Sequence, residues 1–409
     1  MSRPQLCCLI KSMQSSSVFD LSGLSTPTQI LDQVINQAIH LKASDILIQP
    51  QEKEVLVRFR VDGLFQTFGQ MPIGSYDQLL SRVKVLANMD IAESRKSQEG
   101  KIKLNVGSRD YVLRVAIVAT NFGQMVTMRV LSLPEFTEFE SLGMNPELIE
   151  NVKRNITGRY GLFLVCGPTG SGKTTTIHSC LKYLNQGDIN IMTVEDPIEY
   201  EVSGINQIEV DYEIGMDFVS SLRTILRLSP DVIFIGEIRD PETAKIAIQA
   251  SLTGHLVIST IHSRSSVGAV YRLMDLGVDR HIINYALRAI LSQRLLRKVC
   301  DHCKETYAPT KAEIDFYIKE KGSPPLELVH GHKCDFCHQT RYDGRVGVYE
   351  FMEVNDSVRD LISSNPSETE FVTKLTELGY KNMQLAGLDL VDSGVTSIRE
   401  YIRTVYDAR

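Results

Sequence analysis

The sequence contains no tryptophan, and only 7% of its residues are aromatic. It also has no apolar run of the roughly 18 residues that a membrane-spanning helix needs. The apolar stretch within the N-terminal MSRPQLCCLIK is too short for a secretory signal. Positive charge is not in excess, because 44 basic and 50 acidic residues give a formal net charge of −6. These absences argue against a membrane-spanning protein, a secreted protein and a protein that binds nucleic acid through its overall charge. They favour a cytoplasmic location.

The remaining composition is that of an ordinary globular protein. Hydrophobic residues make up 43% of the chain and charged residues 23%, which excludes a disordered or fibrous protein. The length of 409 residues is enough for two to four domains at roughly 100 to 200 residues each.

The spacing of apolar residues divides the N-terminal third of the chain. Residues 1–26 are rich in serine and lack periodicity, which predicts a disordered leader. Residues 27–130 begin with helical spacing and continue with extended patterns such as VLVRFRV, which predicts an N-terminal α/β domain. Residues 131–144 carry a proline, several acidic residues and no sustained period, so we expect a linker there.

A different pattern follows the linker. Between residues 145 and 299, the apolar runs GLFLVC, INIMTVE, DVIFIGE and HLVIST alternate with helical stretches. Continuous apolar strands that alternate with helices predict a mainly parallel sheet covered on both faces. Residues 300–350 hold two C-x-x-C pairs and form a predicted metal-binding subdomain, and residues 351–409 form a predicted helical C-terminal region.

Residues 167–174 spell GPTGSGKT, which fits the phosphate-loop pattern G-x-x-x-x-G-K-[ST] and lies between a predicted strand and a predicted helix. Lys173 is expected to neutralise the β- and γ-phosphates of ATP, and the Thr174 hydroxyl to ligate Mg²⁺. The residues predicted to contact nucleotide in this loop are Gly167, Pro168, Thr169, Gly170, Ser171, Gly172, Lys173, Thr174 and Thr175.

Two carboxylates follow apolar strands, where the ligands of parallel sheets gather. Glu237 ends DVIFIGE, with Gly236 at the position where a metal-binding Asp is common, so Glu237 is the leading candidate for the base that activates water. Glu195 follows INIMTV and is a second catalytic candidate, with a loop decoration as the alternative.

Histidines and arginines near these strands are further candidates. His255 and His262 flank the run HLVISTI, so each could sense or hydrogen-bond phosphate, or serve a structural role. Arg223, Arg227 and Arg239 surround DVIFIGE and could contact nucleotide, with solvated arginines as the alternative.

Cys300, Cys303, Cys334 and Cys337 form two C-x-x-C pairs, the ligand set of a closed tetrahedral Zn²⁺ site. The long spacing between the pairs implies an inserted helix over about residues 312–321. Redox dithiols and unliganded core cysteines are the alternatives. Nearby histidines could also replace a thiolate: His302, His330, His332 and His338.

Taken together, the motifs resemble the hexameric ATPases that power type II secretion and type IV pilus assembly. The resemblance covers about residues 42–353 and is carried by GPTGSGKTTT, VEDPIEY, LRTILRLSPDVIFIGEIRD, TGHLVISTIHS and SQRLLRKVC, with SDILIQP and VRFRVDGLF in the N-terminal part. It implies a PAS-like N-terminal domain, a RecA-like ATPase domain and a structural zinc. It also implies a homo-hexamer with ATP between subunits, in which Arg114 and Arg129 reach the phosphates.

The resemblance further implies an inner-membrane platform protein as partner, peripheral membrane association through that partner, and no direct nucleic-acid contact. Within this family, the cysteine pairs favour a function in pilus assembly or secretion. A pilus-retraction motor, a DNA-uptake motor and a nucleotide-gated adaptor that does not hydrolyse ATP remain alternatives. The leader is shorter than the N-terminal domain with which many family members dock on their membrane partner, so docking through another surface or a shortened form is expected.

Overall fold

The computed structural model of the chain describes residues 19–21, 26–107, 109–132, 138–337 and 339–406. Its contacts divide the chain into two compact units, with the boundary between Leu133 and Pro134.

The first unit is built on a seven-stranded sheet. In chain order its strands are β1 (Phe19–Asp20), β2 (Asp45–Pro50), β3 (Glu54–Val61), β4 (Leu64–Pro72), β5 (Gln98–Val106), β6 (Arg109–Thr120) and β7 (Gly123–Ser132). They lie in the order β1-β4-β3-β2-β7-β6-β5. β1 pairs with β4 in parallel, and the other neighbours pair antiparallel.

Two helices, α1 (Pro27–His40) and α2 (Tyr76–Leu86), supply apolar side chains to the core of this unit. Helix α1 begins where the sequence has a capping residue and a proline, because Thr26 Oγ1 accepts a hydrogen bond from Gln29 N at 3.2 Å. In β3 the alternate residues Val55, Val57 and Phe59 are buried in the same core. The helices and the alternating strands confirm the mixed α/β fold expected here.

The predicted disordered leader needs a correction. Most of residues 1–26 lie outside the described residues, but Phe19 and Asp20 pair with Gly69 and Gln70 of β4. Leu21 is fully buried in the core of the first unit. The prediction is wrong for these three residues, because pairing with a distant strand leaves no periodic signal in the sequence.

The second unit has its own seven-stranded sheet. Its strands are β8 (Gly161–Cys166), β9 (Ile191–Glu195), β10 (Asn206–Glu209), β11 (Val232–Ile235), β12 (Leu256–Ile261), β13 (Leu287–Val299) and β16 (Tyr342–Glu353). They lie in the order β10-β9-β11-β12-β8-β13-β16. The neighbours from β10 to β13 pair in parallel, and only the last pair, β13 with β16, is antiparallel.

Helices cover both faces of this sheet. They are α3 (Pro146–Ile156), α4 (Lys173–Leu184), α5 (Phe218–Ile225), α6 (Pro241–Leu252), α7 (Ser266–Asp275) and α8 (Arg280–Ala286). Alternate residues of β8 enter two different cores: Leu162, Leu164 and Cys166 enter one, and Phe163 and Val165 enter the other. A strand buried on both faces explains the continuous apolar run GLFLVC and confirms the expected parallel sheet.

The cysteine pairs lie between β13 and β16. This segment contains a two-stranded antiparallel sheet, β14 (Lys304–Tyr307) with β15 (Leu328–Gly331), and the connecting helix α9 (Lys311–Lys321). The helix confirms the insertion inferred from the spacing of the cysteines.

The predicted domain limits after residues 299 and 350 do not separate independent sheets. β16, which spans the second limit, pairs with β13 at Tyr342 and from Arg345 to Glu353. A strand that follows the cysteines therefore belongs to the large sheet. The domain limits at residues 299 and 350 stay a prediction.

The chain continues through α10 (Asp356–Ser364), α11 (Glu368–Glu377), α12 (Met383–Asp392), α13 (Ile398–Tyr401) and a π-helical turn, Ile402–Tyr406. Among the helices of the described residues, none combines the length and the apolar character that a bilayer span requires.

A buried ion pair fixes the end of the chain on β13. Glu400 Oε2 accepts a hydrogen bond from Arg297 at 2.7 Å, and Arg403 donates to Oε1 at 2.6 Å. The Glu400 side chain has no exposed surface, and the Arg297 side chain is 11% exposed. Burial alone raises the pKa of Glu400, but the hydrogen bonds from Arg403 and Arg297 outweigh it and hold this pKa below its ordinary value.

We expect Glu400→Gln to lower the free energy of unfolding by about 3–5 kcal/mol at neutral pH, because it leaves the Arg297 guanidinium buried without its counter-charge. A lowered folded-state pKa contributes stability above the unfolded value of about 4.3, and this stability is lost as the pH falls through the folded value. The difference between parent and variant in urea denaturation should therefore shrink on acidification from pH 7 to below about 4.

The control is Asp356→Asn, which removes an exposed partner of Arg359. Such surface pairs contribute below about 1 kcal/mol, so this variant should unfold close to the parent at every pH. A Glu400→Gln difference that is small, or constant with pH, would contradict the assignment.

Candidate functional site

The phosphate-loop residues join β8 to α4. Gly167 has φ 149° and Gly172, at the N-terminus of α4, has φ 88°, conformations that favour glycine. A Cβ atom at Gly167 would lie 2.4 Å from the carbonyl oxygen of Gln293, so the loop packs too closely on β13 for any side chain. The tight turn leads directly into the N-terminus of α4, and the N-terminus of a helix favours the binding of anions.

The Lys173 side chain lies back over this loop. Its Nζ donates hydrogen bonds to the carbonyl oxygens of Gly167 at 2.8 Å and Pro168 at 3.0 Å. Burial lowers the pKa of Lys173, and the charge of Glu237 partly opposes the shift. Thr174 and Thr175 follow in the first turn of α4 and are exposed. The ammonium group is thus held at the loop next to exposed hydroxyl-bearing residues.

Gln293 is a site residue that sequence reasoning missed. It is buried on β13, and its Nε2 donates to the Ser171 carbonyl oxygen at 2.8 Å. The side chain therefore braces the phosphate loop from the neighbouring strand. The motif SQRLLRKVC contained the residue, but nothing in the local pattern points to a contact with residues more than 100 positions earlier in the chain.

Glu237 follows β11 and lies between two basic side chains. Arg239 hydrogen-bonds Oε1, and His262 Nε2 lies 3.3 Å from Oε2. The Glu237 side chain is 13% exposed, whereas those of Arg239 and His262 are more than half exposed. His262 follows β12, and parallel pairing of β11 and β12 places both residues at the same edge of the sheet. The structure therefore brings together three of the predicted residues.

Glu195 lies at the end of β9 in a different environment. It is 4% exposed, and its Oε1 accepts hydrogen bonds from Thr193 Oγ1 at 2.7 Å and Gln207 Nε2 at 3.0 Å. Burial raises its pKa, although these two hydrogen bonds partly counteract the shift. The bond from Gln207 links β9 to β10. Glu195 therefore has a structural role in addition to the predicted catalytic one.

His255 does not join this group. It precedes β12, so it lies at the opposite edge of the parallel sheet, where its backbone carbonyl accepts a hydrogen bond from Gly161 N at the start of β8. Its Nδ1 is 3.0 Å from the Ala250 carbonyl oxygen, at the end of α6. The six residues of β12 separate the two edges by roughly 20 Å. His255 is therefore too far away to contact phosphates bound at the phosphate loop of the same chain.

The remaining arginines of this unit differ in their contacts. Arg239 pairs with Glu237, as described. Arg223, on α5, forms an exposed ion pair with Glu242 at 2.6 Å. Arg227 follows α5 and is exposed. Only Arg239 is placed by these contacts beside the candidate base.

In the first unit, Arg114 and Arg129 lie directly opposite each other on β6 and β7. They belong to a row that crosses five strands in register and holds four cations and one anion. From β3 to β5 the row reads Arg60, Asp45, Arg129, Arg114 and Lys101. Asp45 pairs with Arg129 at 3.1 Å and with Arg60 at 3.3 Å. One carboxylate among four cations leaves this row with a net positive charge.

The four cysteines of the two pairs come together. Their sulfur atoms lie within 4.8 Å of one another, with Cys300 to Cys334 and Cys303 to Cys337 both at 3.9 Å and Cys334 to Cys337 at 3.5 Å. A tetrahedron with Zn–S bonds of about 2.3 Å has edges of about 3.8 Å, so the thiolates fit a zinc ion. All four cysteines are free, at distances well beyond a disulfide bond. His338 lies outside the described residues.

Comparisons with known proteins agree with these features. A family model described as "Type II/IV secretion system protein" matches residues 21–403. The chain is 41% identical to the type II secretion system ATPase E of Vibrio cholerae, over 93% of this chain and 75% of the relative. It is 39% identical to the type IV pilus assembly ATPase PilB of Thermus thermophilus, over 93% of this chain and 43% of that protein.

A solved structure shares the fold. The pilus retraction motor PilT with bound ADP superposes with a TM-score of 0.62 at 28% identity, covering 91% of this chain and 95% of that structure. This similarity confirms the expected RecA-like ATPase fold. The extent of the family match and the identity to curated relatives show that the chain belongs to the type II/IV secretion system family of ATPases.

Proposed function

We propose that this chain is the ATP-hydrolysing motor subunit of a type II secretion or type IV pilus assembly machine. The observation that carries the proposal is the meeting of three elements at one edge of the parallel sheet. These are the phosphate loop with Lys173, the carboxylate of Glu237 held by Arg239 and His262, and the N-terminus of α4. The names of the relatives support the choice of machine.

The residues have separate tasks in hydrolysis. Phosphate oxygens of ATP replace the loop carbonyls as acceptors for Lys173, while the backbone N–H groups at the start of α4 stabilise the negative charge of the phosphates. Thr174 would hold Mg²⁺, which when bound neutralises charge on the phosphates. Glu237 orients the attacking water, and its contacts with Arg239 and His262 fix the direction of its carboxylate.

The finer features of the machine belong to the same proposal. The chain works as a homo-hexamer on the cytoplasmic face of an inner membrane, against a platform protein, without direct contact to nucleic acid. Arg114 and Arg129 act as arginine fingers within the ring, for which their position in a positively charged row offers support. The tetracysteine zinc ion is structural, since four thiolates leave no open coordination position.

We expect Lys173→Ala and Glu237→Gln each to lower kcat for Mg²⁺-dependent phosphate release by about 10²–10³-fold, because one removes charge stabilisation and the other the group that directs water. Matched substitutions of exposed residues, Lys245→Ala and Glu147→Gln, should leave the rate within about twofold of the parent. Equal rates in the parent and both site variants would reject the motor and favour a nucleotide-gated adaptor.

Arg114→Ala and Arg129→Ala should lower kcat by about 10³-fold in the assembled ring, because an arginine finger stabilises charge that develops on the transferred phosphoryl group. Arg95→Ala removes an exposed arginine of the same unit and serves as control. Ring assembly is checked by light scattering for each variant. Full turnover by assembled rings of a variant would show that the arginine removed in it does not act as a finger.

The parent should retain about one zinc ion per chain after exhaustive dialysis under reducing, chelator-free conditions, and Cys303→Ala with Cys337→Ala should lose it, since only two thiolates remain. Metal is measured by elemental analysis. Cys180→Ala, which removes a buried cysteine of α4, should keep the ion. A parent with clearly less than one retained ion would contradict the zinc assignment.

A further inference from the structure

Three potential metal ligands lie together outside the tetracysteine cluster. They are Glu305 on β14, His330 on β15 and His332 just after β15. Glu305 and His330 are direct cross-strand partners, so their side chains leave the same face of the small sheet. His332 is two residues beyond His330, which in extended backbone returns its side chain to that face. The pairing of two short strands thus gathers two imidazoles and one carboxylate.

The ligand atoms are already close. One oxygen or nitrogen from each residue lies within 4.8 Å of the other two. His330 Nε2 is 3.2 Å from His332 Nε2, and Glu305 Oε2 contacts His332 Nε2. Two nitrogen atoms bound to one tetrahedral Zn²⁺ at 2.0–2.1 Å would be about 3.3 Å apart, which matches the separation of the two histidine nitrogens.

The surroundings support this arrangement. The Tyr307 ring packs against the His330 ring with 4.9 Å between centroids, and the Tyr307 hydroxyl donates to Glu313 Oε1 at 2.6 Å, which fixes the tyrosine to the inserted helix. The Glu305 and His332 side chains remain 63% and 54% exposed. One histidine is therefore held in place while the outer side of the cluster stays open to water.

We propose that Glu305, His330 and His332 form a second metal site, distinct from the tetracysteine site, that binds Zn²⁺ with water in the remaining position. Two imidazoles and a carboxylate suit this ion, and the four thiolates already complete a closed site of their own. A site with three protein ligands and open access binds more weakly and exchanges its ion more readily. The inference concerns metal binding alone and does not depend on the proposed ATPase motor.

Zinc uptake by the full chain tests this proposal. The protein is prepared without a histidine tag and dialysed so that the tetracysteine site alone keeps its zinc. Zn²⁺ is then added and followed by calorimetry and by elemental analysis. We expect the parent to take up about one further ion per chain. His330→Gln and His332→Gln should each weaken this uptake at least about tenfold, because even the loss of an outer-sphere partner has an effect of that size.

Two histidine variants serve as controls. His281→Gln removes an exposed histidine on α8, and His302→Gln removes one whose ring lies against Phe336, between the first two cysteines. Both should bind the further ion as the parent does. Should a cluster histidine variant unfold, Glu305→Gln provides the test, because it removes the anionic ligand and keeps both imidazoles.

Co²⁺, loaded into both sites after the zinc has been removed, distinguishes the two sites in the same variants. Cobalt in the tetracysteine site has a thiolate charge-transfer absorption, whereas cobalt bound by nitrogen and oxygen lacks it. We expect the charge-transfer band to be unchanged in His330→Gln and His332→Gln. Loss of the band would show that a histidine ligates the tetracysteine ion and would overturn the proposal of a separate site. Absence of further zinc uptake by the parent, or equal uptake by parent and variants, would overturn it as well.

Discussion

Parallel pairing of β8 with β12 and β13 is the constraint on which the nucleotide site depends. Ile261 of β12 lies opposite Cys166 of β8, so His262 and Gly167 emerge side by side. On the other side, Ser292 of β13 lies opposite Cys166, which brings Gln293 onto the phosphate loop. A shift of one residue in either register would turn these side chains to the other face of the sheet. The grouping of these residues at one edge of the sheet therefore depends on strand register more than on any one motif.

Local patterns were enough to predict four strands of the parallel sheet, namely β8, β9, β11 and β12, together with the phosphate loop. Each of these depends on neighbours in sequence: GLFLVC is apolar because both faces of β8 are covered, and GPTGSGKT must turn tightly into α4. They also predicted Glu237 as a site residue, because carboxyl ends of parallel strands gather ligands.

Contacts between distant segments of the chain could not be predicted from the sequence. Nothing local to Glu237 shows that His262 will lie 3.3 Å away, or that Gln293 will brace Ser171. The same limit explains His255, which resembles His262 in its flanking position but lies at the other edge of the sheet. It also explains the charged row in the first unit, whose five residues come from five strands.

The cysteine segment leaves and re-enters the large sheet at adjacent points. Val299 of β13 is the pairing partner of Tyr342 of β16, so everything between them is an elaborated hairpin connection. Because the two ends stay in hydrogen-bonding reach whatever lies between, the entropic penalty of a longer connection grows only slowly with length. The length of this segment can therefore change without a shift in the strand register that builds the nucleotide site.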